Sequence, residues 1–327
     1  MKILAVDDDP IILELLAQFV DAFGGYTLTT AESGFEALEI IAEKGSGKFD
    51  CFMLDIQMPG MDGVELAGLI RDTARYADAP ILMLTAMSEK RYIDAAFTAG
   101  ATDYVTKPFE VVELKSRLTA MQKIVMSRKS RTRKIFSTKA LATQSAPAET
   151  TIALHEPISI YDVDNVIECV AMENYVAQLS RSAQFGSTVF ALSIRRINEF
   201  HEALTGFEFH SMISDVAEVI SDTLSEHQFL MSYAGNGTFV CIVEAGWRPE
   251  MASVTEQVNL SLAQAELFAN DGQRIQPRLC AGKAIRLVWK SNEQILDSLG
   301  VAQSSAEDTA RRYDSSMSDL FLYGQSA

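Results

Sequence analysis

Asp7 and Asp8 in the run VDDDP, Asp55 in FMLDIQMPG, Thr85 in LTA and Lys107 in KPF are the residues whose types and placement could do chemistry together. Each comes at or just after a short apolar run, which places it at the end of a strand. Three carboxylates brought close together cannot all stay ionised without a cation, and an all-oxygen cluster suits magnesium, which keeps waters and accepts phosphate oxygens. Transfer of a phosphoryl group to a carboxylate needs such charge neutralisation and alignment, with a lysine and a hydroxyl on the remaining oxygens. The plain alternative, incidental polar strand ends, requires five suitable residues to coincide at four separate strand ends.

The elements that must position these groups alternate along the chain. The spacing predicts strands over Lys2–Val6, Tyr26–Thr30, Phe49–Leu54, Pro80–Leu84 and Thr102–Val105. Between them it predicts helices over Ile11–Ala22, Gly34–Lys44, Gly63–Thr73 and Glu89–Ala99, with a last one from Phe109. Strict alternation of this kind predicts a doubly wound five-stranded parallel sheet, in which ligands collect at the carboxyl ends of the strands. Pro10 is suited to open the first helix, and Met58-Pro59-Gly60 with Asp62-Gly63 is a turn leading into another.

At 327 residues, 48% hydrophobic and 22% charged, the chain has ordinary globular composition and length for two domains. No apolar run reaches the roughly 18 residues of a membrane span and no leader pattern follows Met1-Lys2, so a cytoplasmic location is expected. Cys51, Cys169, Cys241 and Cys280 are scattered without disulfide-module or zinc spacing. A net charge of −16 argues against non-specific nucleic-acid binding by the whole molecule.

VDDDP at 6–10, LDIQMPGMDG at 54–63, LTA at 84–86 and KPF at 107–109 resemble the receiver domain of a two-component response regulator, over residues 1 to about 122. The resemblance implies a flavodoxin-like fold, with Asp55 as phosphoacceptor and a sensor histidine kinase or phosphotransfer protein as partner. It implies magnesium held by Asp8, Asp55 and the backbone carbonyl of Gln57, with Asp7 helping through water. Thr85 and Lys107 would sense the phosphoryl group. Tyr104 matches the family's switch aromatic, whose ring turns inward on phosphorylation; an edge-strand tyrosine is the alternative.

In the helix from Phe109, Val111, Leu114, Leu118, Met121 and Val125 are spaced as a short coiled-coil seam that could support a homodimer, or as one face packed on the receiver sheet. From Leu114 to Ala148 there are nine Lys or Arg and no acid: Lys115, Arg117, Lys123, Arg128, Lys129, Arg131, Arg133, Lys134 and Lys139. Such a tract can hold nucleic acid or anionic lipid. No aromatic stacking series or helix-turn-helix follows it, which favours a solvated interdomain helix. Ser137–Thr151 reads as flexible linker, giving a receiver over 1–124, a basic extension and linker over 125–157, and an output domain over 158–327.

The second domain reads as α+β. Helices are expected over Val166–Leu179, Phe209–Leu224 and Val254–Ala269, and strands over Thr188–Ile194, Phe229–Tyr233, Thr238–Val243, Arg278–Gly282 and Ala284–Val288. Ala234-Gly235-Asn236-Gly237 makes a hairpin turn between two of the strands. Order and spacing resemble a GGDEF (diguanylate cyclase) domain without its chemistry. Gly235, Asn236, Gly237, Thr238 and Phe239 stand at the signature, Ser193 at the metal-binding Asp of the first strand, and His201 and Glu202 at the guanine-reading pair. Glu226 to Phe229, EHQF, stands at the inhibitory Arg-x-x-Asp. Joining two nucleotides needs metal to activate a hydroxyl, and no carboxylate replaces the lost ligands. The expectation is a response regulator that is not an enzyme, signalling to an output protein through a catalytically dead module. The rivals are an active or nucleotide-binding cyclase-like protein and a DNA-binding regulator using the basic tract.

Overall fold

The computed structural model describes the chain apart from residues 44–46, 87–89, 142–151, 162, 245, 271, 289 and 325–327, with backbone alone for 130–141, 181–182, 292 and 316–324. It divides into two compact units, Met1–Ala148 and Glu149–Ala327.

In the first unit, strands β1 (Lys2–Val6), β2 (Thr27–Ala31), β3 (Cys51–Asp55), β4 (Ile81–Thr85) and β5 (Asp103–Thr106) alternate with helices α1 (Pro10–Phe23), α2 (Gly34–Ala42), α3 (Gly63–Asp72), α4 (Lys90–Thr98) and α5 (Val111–Leu141). The strands pair in parallel in the order β2-β1-β3-β4-β5. The order reverses between β1 and β3, so the crevice of a doubly wound sheet opens at the carboxyl ends of these two strands. Alternate residues of β3 feed two apolar layers. Phe52 and Leu54 pack with Leu66, Ala67 and Ile70 of α3, whereas Cys51 and Met53 pack with Leu13, Leu16 and Val20 of α1 and Leu114, Leu118 and Met121 of α5. Asp9 caps α1 through Ile11 N (2.9 Å) and Asp62 caps α3 through Glu65 N (2.8 Å), fixing where the chain turns after β1 and before α3.

The α5 seam resolves in favour of the receiver core. Leu114, Leu118 and Met121 have no exposed surface and Val125 retains 7%, so these four are spent inside the unit, while Val111 at the start of the seam stays exposed at 47%. The linker expectation is corrected at both ends. α5 runs on to Leu141, making Ser137–Leu141 helical, while 142–151 lies outside the described residues. The far end of the expected linker is bound to the second unit, where Leu154 O accepts from Asn236 N at 2.7 Å and Ile152 O lies 2.6 Å from His201 Nε2.

The second unit contains α6 (Cys169–Ala177), α7 (Arg181–Gly186), β6 (Thr188–Ile194), α8 (Ile197–Ala203), α9 (Gly206–Leu224), β7 (Phe229–Tyr233), β8 (Thr238–Val243), α10 (Met251–Gln264), β9 (Leu279–Ala281), β10 (Ile285–Arg286) and α11 (Asn292–Gly324). Its sheet is antiparallel, in the order β10-β6-β8-β7, with β9 also paired to β6. One face is covered by α9 and α10, the other by α6 and α11. Two expected helices start or stop elsewhere. Val166 bridges to Met231, delaying α6 to Cys169, and Glu266 takes a φ of 50°, ending α10 before the Phe268–Arg274 bridge. Helices α7, α8 and α11 were not expected.

Arg71 of α3 is a buried guanidinium that bonds backbone carbonyls. It donates to Gly100 O (2.6 and 3.1 Å), Tyr76 O (3.2 Å), Ala77 O (3.0 Å) and Ala79 O (2.6 Å), joining the approach to β4 with the corner before β5. Arg71→Met leaves those carbonyls without this donor and is expected to cost about 3 kcal/mol. Hydrogen exchange of peptides covering β4 and β5 should accelerate in the full chain; unchanged protection would contradict this role.

Candidate functional site

β1 and β3 deliver Asp7 and Asp55 to the same edge, and both are buried, at 0% and 4% exposure. The Lys107 ammonium lies 2.6 Å from Asp7 Oδ2 and 2.8 Å from Asp55 Oδ1. Its backbone is fixed by the sheet, since Lys107 N donates to Thr85 O at 2.7 Å. Asp9 N donates to Asp7 Oδ1 at 3.1 Å, while Oδ2 faces the Lys107 ammonium. Asp8 is exposed, yet Asp7, Asp8 and Asp55 each offer an oxygen within 4.8 Å of the others; it is the one such metal-capable group among the described residues. Thr85 ends β4, buried to 1%, one residue beyond Leu84, the partner of Asp55. Gln57 is exposed in the loop after β3. Tyr104 of β5 is half-buried, edge-on to Phe97 of α4 with centroids 6.2 Å apart.

Burial pushes the Asp55 carboxyl up, the neighbouring Lys107 opposes this, and the charges of Asp7 and Asp8 add to the rise. For Lys107, burial would lower the pKa, but hydrogen bonds to Asp55 and Asp7 outweigh it and the ammonium is held above its ordinary value. Three carboxylates against this one ammonium leave two negative charges uncompensated in an all-oxygen cluster. That donor set fits magnesium.

Gly63 is the residue the sequence reading passed over. Its N donates to Ile56 O at 3.0 Å, and a Cβ placed on it would stand 2.0 Å from Asp55 O. Only a residue without a side chain lets α3 start against the backbone of Asp55. Asp62-Gly63 ahead of an apolar helix was the available signal, read as turn chemistry alone.

The expected residues of the second unit assemble no comparable site. Ser193 and Thr238 are buried partners across β6 and β8, with Thr238 Oγ1 donating to Ser193 Oγ at 3.1 Å. Gly237 N donates to the Tyr233 hydroxyl oxygen at 3.0 Å. The turn lies under the chain: a Cβ on Gly235 would be 2.5 Å from His155 O. His201 packs edge-on to Phe209, Glu202 is exposed, and in EHQF His227 stacks on Trp247 at 3.7 Å while Phe229 is core.

A family model described as the response regulator receiver domain matches residues 3–119. Residues 3–119 form a receiver domain. This receiver is similar to response regulator MprA of Mycobacterium ulcerans, 42% identical over 121 residues, and of Mycobacterium leprae, 41% identical, each match covering 37% of this chain and 50% of the relative. The chain therefore spans about half the length of the curated relatives it matches. Among solved structures, the Vibrio cholerae chemotaxis protein CheY4 is 32% identical over 37% of this chain and 97% of its own, with a TM-score of 0.34. Response regulator DrrB of Thermotoga maritima is 30% identical over 37% and 52%, with a TM-score of 0.33. No helix among the described residues is long and apolar enough to cross a membrane.

Because the folded receiver holds the proton of Asp55 more tightly than the unfolded chain does, the ionised carboxylate opposes folding above its raised pKa. Asp55→Asn is therefore expected to raise the thermal midpoint of the metal-free protein at pH 7. The gain should fade as pH falls through the raised pKa toward the ordinary carboxylate value, where Asp55 is neutral in both states. Melting in a chelator from pH 4 to 8 checks this; a lower midpoint for Asp55→Asn at pH 7 would contradict it.

Proposed function

We propose that the chain is a cytoplasmic response regulator that takes a phosphoryl group onto Asp55 and passes the signal on through a second unit acting by protein contact. The observation that carries the first half is the meeting of Asp7 and Asp55 on the Lys107 ammonium, with Asp8 alongside, at the switch point of the sheet. A histidine kinase, a phosphotransfer protein or a small acyl phosphate would be the donor. An Asp55 carboxylate oxygen attacks phosphorus; the new O–P bond forms as the donor P–N or P–O bond breaks, and the leaving atom keeps the electron pair. Asp7, Asp8, Asp55 and the Gln57 carbonyl would hold magnesium, which when bound neutralises the phosphoryl oxygens. Lys107 then exchanges its contact with Asp55 for one with the phosphoryl group, and the Thr85 hydroxyl donates to another of its oxygens. Tyr104 follows into the space Thr85 vacates, altering the face formed by α4 and β5.

The second half rests on what the GGDEF-like arrangement lacks. Two hydroxyls, Ser193 and Thr238, bond to each other near the turn, Gly237 has no side chain, and backbone from 152 to 156 lies over the turn where a nucleotide would need room. The basic tract is partly committed as well: Arg117 pairs with Asp103 at 3.0 Å and Lys129 with Asp50 at 2.7 Å, which speaks against a nucleic-acid role for those two. With Leu114, Leu118, Met121 and Val125 buried, most of the α5 seam is not offered to a second chain.

Acetyl phosphate with magnesium is expected to label the parent chain and not Asp55→Asn. Gly63→Ala, whose Cβ displaces the end of β3, should slow labelling at least tenfold with the fold retained. Undiminished label in Asp55→Asn would sink the proposal. Incubation of the same protein with GTP and magnesium, phosphorylated or not, should yield no cyclic di-GMP; reproducible turnover would restore the cyclase reading.

A further inference from the structure

At the amino ends of β3 and β4, the far side of the receiver sheet from Asp55, lies a cavity of about 550 Å³ that the function described so far does not use. Three separate stretches wall it: 48–50 leading into β3, 74–80 leading into β4, and α5 from Val125 to Lys129. Its apolar surface comes from Phe49, Ala79, Pro80 and Val125, all buried. The volume falls within the range of small-molecule sites, which combine apolar walls with a few placed polar groups.

The placed groups are mostly cations. Lys48, Arg75, Arg128 and Lys129 stand at the cavity against two acids, Asp50 and Asp78. That local excess of positive charge runs against a chain whose net charge is −16. Each of the three stretches contributes to it, so it does not follow from the basic run of α5 alone. Lys129 is answered by Asp50 at 2.7 Å, and Arg128 and Asp78 are each engaged within the protein. Lys48 and Arg75 are exposed and have no ion pair among the described residues; the Arg75 guanidinium lies 5.5 Å from the centroid of the Tyr76 ring. Like charges gathered at one cavity repel one another, and a bound anion relieves that repulsion. An excess of two charges matches a phosphate monoester, which is close to a dianion near neutral pH, and guanidinium forks match its oxygens in pairs.

We propose that this cavity binds a small phosphate monoester with an aromatic or aliphatic body, the body over Phe49, Pro80 and Val125 and the phosphate among Lys48, Arg75 and Arg128. Occupancy would tie α5 to the stretches that lead into β3 and β4, giving the receiver a ligand input separate from Asp55.

1-Naphthyl phosphate is the probe, with 1-naphthol and inorganic phosphate as its two halves. They are added to the full chain in a chelator, so that the carboxylates around Asp55 repel anions. Valine methyl groups are labelled, and Val125 is assigned by Val125→Ile. 1-Naphthyl phosphate is expected to shift Val125 saturably and to bind about tenfold more tightly than either half. Arg75→Gln and Lys48→Gln, both at exposed positions, should each weaken it about fivefold and leave 1-naphthol unchanged. Labelling of Asp55 by acetyl phosphate with magnesium should stay at the parent level in both variants. The absence of a saturable Val125 shift overturns the site, as does binding indifferent to both substitutions. Equal affinity for 1-naphthol would also overturn it, since the cavity would then be an apolar cleft that ignores charge.

Discussion

Burying Asp7 and Asp55 at one sheet edge is costly, and the Lys107 ammonium 2.6 and 2.8 Å away offsets much of that cost. Most of the receiver can be understood as what keeps that contact in place. The parallel order brings β1 beside β3, and the Lys107 N to Thr85 O bond anchors the lysine to β4. Gly63 lets α3 begin against the Asp55 carbonyl, and Arg71, further along α3, ties down the loops that lead into β4 and β5. Because one lysine balances only part of the carboxylate charge, the arrangement keeps a negative excess that a divalent cation could offset.

The second unit makes an instructive contrast. The polar groups around its hairpin turn satisfy one another, Thr238 with Ser193 and Gly237 with Tyr233, and the preceding chain packs over the turn. Polar groups paired in this way are satisfied within the fold.

The receiver was legible because each strand is a short apolar run bounded by a turn or cap, and its polar ends fell at Asp7, Asp55 and Thr85. The α5 seam was ambiguous for a physical reason: a three-four spacing serves a coiled coil and a one-sided core helix alike, and Leu114, Leu118 and Met121 prove to be core. Helix α11 escaped notice because its buried stripe is made largely of small residues, Ala302, Ala306 and Ala310 after Ile295 and Leu299, in a polar background. Helix α8 has no buried residue and so no pattern to read. Arg71 and Gly63 act through contacts distant in sequence or through a missing atom, and neither leaves a periodic trace.

The grouping of Asp7, Asp8 and Asp55, balanced in part by Lys107, is proposed to act as one cation site. Calorimetric titration of magnesium into the unphosphorylated full chain addresses it most directly, comparing the parent with Asp8→Asn and Lys107→Met. The account predicts a single saturable site in the parent, a loss of at least tenfold in affinity for Asp8→Asn, and tighter binding for Lys107→Met, whose carboxylates lose their competing ammonium. No saturable binding by the parent, or equal affinity in parent and Asp8→Asn, would contradict it.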